Sequence, residues 1–131
     1  MSTFIGHVYE FKVKKINRIL DGDTIDATLD VGFGMSYKAK FRMSGYTAPS
    51  TWRPISEEEN KAGIEVTKYL EELINKYKDK DRLFVRSHKL GIYGRYSAEL
   101  LAKQEDGSFV SINDMVKEFI DDNNYSVDRF Q

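Results

Sequence analysis

No cysteine occurs in this chain of 131 residues. That excludes disulfides and thiolate chemistry and leaves the redox compartment unmarked. No apolar run approaches the length of a membrane span. The opening stretch MSTFIGHVYEFKVKK has no basic segment leading into an apolar one, so no secretory signal and no membrane association are expected, and the expected location is the cytoplasm. Neither sign of charge dominates: 20 basic and 21 acidic residues give a formal net charge of −1, which argues against indiscriminate coating of a polyanion. His7 and His88 lie far apart without ligand spacing, so a zinc site is not expected. Repeats and low-complexity linkers are missing too. A single domain spanning residues 1–131, long enough to bury its own core, is the expected organisation.

The charges that are present are unevenly distributed. Lys12, Lys14, Lys15 and Arg18 come first, then Lys38, Lys40 and Arg42, then Arg82, Arg86, Lys89 and Arg95. The end is acidic, with Asp114, Glu118, Asp121, Asp122 and Asp128. A basic face with an acidic end accounts for this, and so do ordinary solvated strand faces.

The apolar pattern starts with period two. FKVKKINRIL and TIDATLDV are rich in β-branched residues, and Ile25, Ala27, Leu29 and Val31 alternate with polar ones. DGDT at 21–24 marks a tight turn between them and GFG at 32–34 a second, leading to Tyr37, Ala39, Phe41 and Met43 alternating with Lys38, Lys40 and Arg42. A helix follows. Ser56 and Glu59 form a capping box, Glu57 and Glu58 suit the first turn, and Ala62, Val66, Tyr69, Leu70, Leu73 and Tyr77 recur at helical spacing. RLFVRSH and YGRYSAELLA read as two more strands; after a turn at EDG (105–107), INDMVKEFIDD reads as a short terminal helix capped by Asn113. The fold class is therefore α+β and mainly β. Five strands, a helix between the third and fourth and a short C-terminal helix match the OB-fold barrel, with an α+β sandwich as the alternative. This order does not specify a function.

Three stretches carry chemistry. Asp23 in DGDT offers a carboxylate for a hard cation, although Asp-Gly turns are common without one. Arg42 ends a basic strand, and Arg95 sits in YGR at 93–95. Two guanidiniums on one anion would neutralise it and donate paired hydrogen bonds; each also reads as an ordinary surface arginine. Between Arg42 and Pro49, in RMSGYTAPS, there is no carboxylate.

In this order, DGDT, FRMSGYTAPS set against the pattern R-L-x-G-I-D-A-P-E, a helix and then YGR resemble the staphylococcal nuclease (thermonuclease) family, and DGDTIDATLDVGFG is most similar to its small bacteriophage-borne members. The resemblance runs over nearly all the chain. It implies a calcium-dependent phosphodiesterase acting on DNA and RNA, with Asp23 as calcium ligand, Arg42 on the scissile phosphate, Arg95 stabilising the transition state and Tyr93 lining a nucleotide pocket. The family's second metal carboxylate falls at Thr47, and its water-activating glutamate at Ser50. Neither hydroxyl serves as a carboxylate base at neutral pH. Calcium binding is expected to be weak or lost, and no other cofactor is expected. Glu57, Glu58 and Glu59 are engaged as a helix start, and Asp26 is expected to be solvated.

Smaller departures accompany these. SHKLGIYGR lacks the acid that often precedes YGR, Ser97 stands where an apolar residue is usual, and the family's third helix is expected to be absent or reduced. Trp52 and Arg53 offer a base-stacking and phosphate-pairing dipeptide or, equally, a loop anchor. The resulting expectation is a monomeric pseudo-nuclease that binds nucleic acid or a nucleotide through Arg42, Arg95, Lys89 and aromatics, or else a protein partner. The alternatives are an active calcium-dependent nuclease and a phage-type inhibitor of a host defence protein.

Overall fold

The strands form where the period-two pattern places them. In a computed structural model, described for residues 9–49, 56–78, 81–90 and 96–126, the order is β1 (Tyr9–Asp21), β2 (Thr24–Gly32), β3 (Met35–Met43), α1 (Glu57–Tyr77), β4 (Leu83–Leu90), β5 (Tyr96–Lys103), β6 (Phe109–Ser111) and α2 (Ile112–Asp122). Strands β1 to β3 form an antiparallel meander, β4 pairs with β1, and β5 pairs with β4. A short parallel pairing, Phe41↔Tyr96 to Met43↔Ala98, joins β3 to β5 and closes a five-stranded barrel. The closure makes this an OB-like α+β fold and rules out the open sandwich. The three-residue β6, which adds to the outer edge of β5, was not expected from the sequence. Three residues are too few to display a period.

Barrel closure needs a strand that coils. Register shifts at Val13/Lys15, Ile16/Arg18 and Ile19/Asp21 put extra residues into β1. Such bulges bend a strand and increase its twist, allowing β1 to serve β2 along most of its length and β4 at its start. Ile25, Ala27, Leu29, Phe41, Met43, Val85, Ala98 and Leu100 fill the interior. Because β5 pairs with β3 only from Phe41 onward, the far part of the β2–β3 hairpin projects past the closed section. Phe33, Met35 and Tyr37 are exposed there.

Helix α1 begins as its cap predicts, with the Glu59 N–H donating to Ser56 Oγ at 3.1 Å. Its buried face comprises Ala62, Val66, Leu70, Ile74 and Tyr77, while Tyr69 and Leu73 pack at its margin. Tyr69 stacks on Phe119 of α2, with ring centroids 4.2 Å apart.

The cap expected at Asn113 is instead Ser111, whose Oγ accepts from the Asp114 N–H at 3.2 Å. Asn113 lies one residue inside the helix and faces the barrel, 3% exposed. Its Oδ1 accepts from the Leu100 N–H at 2.9 Å, and its Nδ2 donates to the carbonyls of Ser44 at 2.8 Å and Ala98 at 2.9 Å. One amide thus fastens α2 to β5 and to the turn after β3. Asn113→Ala should lower unfolding free energy by about 2–3 kcal/mol, because it leaves buried backbone groups without partners. Asn113→Asp should do no better, since it turns both donors into a charge facing two carbonyls. Urea denaturation of the variants reads both effects.

Candidate functional site

The DGDT turn is built around a close approach. A Cβ on Gly22 would lie 2.7 Å from Val66 Cγ1 and 2.8 Å from Ala48 Cβ, so only glycine lets the turn pack between α1 and the loop after β3. Asp21 ends β1, and its Oδ1 accepts from the Asp23 N–H at 3.0 Å. This local hydrogen bond shapes the turn. The Asp23 carbonyl accepts from the Met43 N–H at 2.7 Å, fixing the turn to the end of β3.

After Met43 the chain turns at Ser44 and Gly45, with Gly45 at φ 91°, and runs back across DGDT. Tyr46 donates its hydroxyl hydrogen to the Gly22 carbonyl at 2.7 Å. Burial, with the charges of Asp23 and then Asp21 nearby, pushes the Tyr46 hydroxyl further above its ordinary range, so it stays a donor at neutral pH.

These two segments bring Asp23, Arg42 and Thr47 together. Asp23 is 8% exposed. Its Oδ1 accepts from Thr24 Oγ1 at 3.1 Å, and its Oδ2 accepts from the Ala48 N–H at 3.0 Å. Arg42, opposite Thr24 in the β2–β3 register, places Nη2 3.8 Å from Asp23 Oδ2 and donates from it to Thr47 Oγ1 at 3.2 Å. These contacts all use Nη2. Nε and Nη1 have no protein acceptor among the described residues, and the side chain is 43% exposed. The result is a guanidinium steered by a carboxylate and a threonine, with donors left over for an incoming anion.

Ser50, Trp52, Arg53, Tyr93 and Arg95 lie outside the described residues. Lys89 falls within β4, but its side chain also lies outside them. Asp26 departs from the expectation of simple solvation. It is half-buried, accepts from Asn17 Nδ2 at 3.1 Å and lies 4.0 Å from Lys38 Nζ. Asp21 was missed by reading Asp23 alone, although the repeat of aspartate two residues apart is the signal for it. The sequence carried no signal for the Tyr46 hydrogen bond.

No family model matches the chain, and no curated protein matches it.

The paired acids have a measurable consequence. Burial first, then the neighbouring Asp23, raises the Asp21 carboxyl from 3.8 to about 6. A folded pKa above the unfolded one means that ionisation costs the folded state more. The penalty is absent below the unfolded value of 3.8, grows as pH rises, and is complete above about 6. Asp21→Asn keeps an acceptor for the Asp23 N–H and removes the charge. It should raise the thermal midpoint by a few degrees at neutral pH, with the difference vanishing as pH falls toward the unfolded value. Melting curves across that range provide the check.

Proposed function

We propose that this chain is a catalytically impaired relative of the staphylococcal nucleases that binds a phosphate-bearing ligand, nucleic acid or nucleotide, beside Arg42. The observation that carries this reading is the guanidinium itself. It is held through Nη2 by Thr47 and Asp23, with Nε and Nη1 unclaimed by any described residue. A partly exposed, oriented arginine at the end of a basic strand suits recognition of a phosphate oxygen.

The residues present fit a resident calcium ion poorly. Calcium takes six to eight oxygen ligands, and carboxylates supply much of its affinity. Both oxygens of Asp23 already accept hydrogen bonds from the protein, and the hydroxyl of Thr47 accepts from Arg42. Among the described residues, no group of three or more histidine or acidic side chains gathers in a metal-binding arrangement. Arg42 supplies the positive charge beside Asp23 that a cation would otherwise bring. No hydrolytic step is assigned to these residues: Thr47 and Ser50 stand where the resemblance implies one acid to hold metal and another to prepare water.

The purified protein should therefore show no calcium-stimulated cleavage of DNA or RNA. Thr47→Asp combined with Ser50→Glu should create such cleavage, by about 10²-fold or more over the parent, the scale of general-base assistance. Robust cleavage by the unaltered protein, abolished by chelator and by Asp23→Ala, would overturn the proposal and establish an active nuclease. Fluorescent end-labelled oligonucleotides resolved on denaturing gels provide the readout.

A further inference from the structure

At the tip of the β2–β3 hairpin stands Phe33, 98% exposed and at φ 57°, followed by Gly34 at φ 74°. Positive φ at both central residues is the pattern of the type I′ hairpin turn, which asparagine, aspartate or glycine adopts at little strain and phenylalanine does not. This residue contributes no burial and strains the backbone, so folding does not explain its presence. Behind it on β3, Lys38, Lys40 and Arg42 alternate along one face, at the two-residue strand repeat of about 6.8 Å. Lys40 is exposed and stands across from Asp26 in the β2–β3 register without an ion pair among the described residues, and Lys38 is loosely opposed by the same Asp26 at 4.0 Å. Lys15 of β1, also exposed, lies in the same cross-strand row as Lys38, with Thr28 between them.

We propose that this face of β3 is a track for a single-stranded nucleic acid, whose backbone runs from Arg42 past Lys40 and Lys38 and whose bases stack on Phe33 at the tip. The inference rests on the anion-binding reading of Arg42 and extends it outward. Regularly spaced cations follow a phosphate backbone, and a free aromatic ring offers a platform for an unpaired base of any sequence. A double-stranded ligand would leave Phe33 without an accessible base face. A membrane surface suits the geometry less well. A tip inserted into lipid would leave the row running away from the headgroups, with Lys38 and Arg42 separated by about 14 Å along the strand.

The test is fluorescence anisotropy with an end-labelled oligothymidylate and its RNA counterpart over a range of salt concentrations. Binding by the unaltered protein is expected. Lys38→Ala with Lys40→Ala should weaken it about tenfold or more and lower the slope of log affinity against log salt by about 1.4, the release expected for two single-strand phosphates. Phe33→Asn, which suits the left-handed turn better, should weaken binding about tenfold with the slope unchanged, separating stacking from charge. Binding that falls with Arg42→Ala yet is untouched by the β3 and Phe33 substitutions would overturn the track and leave the Arg42 site standing. Absence of oligonucleotide binding by the unaltered protein would overturn both the track and a nucleic-acid ligand at Arg42. Phosphatidylserine vesicles form the last arm. Capture on them, lost in Phe33→Asn and unaccompanied by oligonucleotide binding, would make the hairpin a membrane contact and overturn the proposal.

Discussion

A carboxylate sunk beneath a loop must find hydrogen bonds and a counter-charge to offset the cost of leaving water. Asp23 meets that condition through three neighbours, the Thr24 hydroxyl, the Ala48 N–H and the Arg42 guanidinium. Through those contacts it joins the β1–β2 turn, the loop after β3 and the end of β3 itself. Gly22 beside it brings the same turn against Val66 of α1, closer than any side chain would permit. The barrel mouth takes its shape from this junction. Even the orientation of Arg42 follows from where Asp23 and Thr47 lie.

The arrangement also shows how the loop holds together with no carboxylate between Arg42 and Pro49. Thr47 offers a hydroxyl that accepts from Arg42. The buried negative charge is consequently balanced from within by an arginine. Asp21 is the costly member: its partial burial, then its proximity to Asp23, raise its pKa, while its Oδ1 accepts the hydrogen bond that shapes the turn. What the site offers is an oriented guanidinium with spare donors, the feature on which the proposed binding role rests.

Much of the fold was legible because it is written in periods. The alternation in β2 and the later part of β3, and the cap and stripe of α1, translate directly into the buried residues Ile25, Ala27, Phe41, Val66 and Leu70. The misses are tertiary in origin. Ser111 and Asn113 are both good caps by residue type, and only the packing of α2 on the barrel decides that the asparagine turns inward. The three-residue β6 is too short to show a pattern. At the site, the motif resemblance placed Asp23, Arg42 and Thr47 in one region. The 3.2 and 3.8 Å separations between them depend on how the loop folds back. Asp21 and Tyr46 escaped for the same reason, since their roles run through backbone groups of a turn.

The central claim is that Asp23 serves as an internal partner of the loop and Arg42, in place of a metal ligand. Carbon-13 NMR of the aspartate carboxyl groups during a calcium titration tests it most directly. The account predicts that the Asp23 and Asp21 carboxyl resonances stay in place through millimolar calcium, while Arg42→Ala shifts the Asp23 signal. Saturable movement of the Asp23 resonance at micromolar calcium would contradict it.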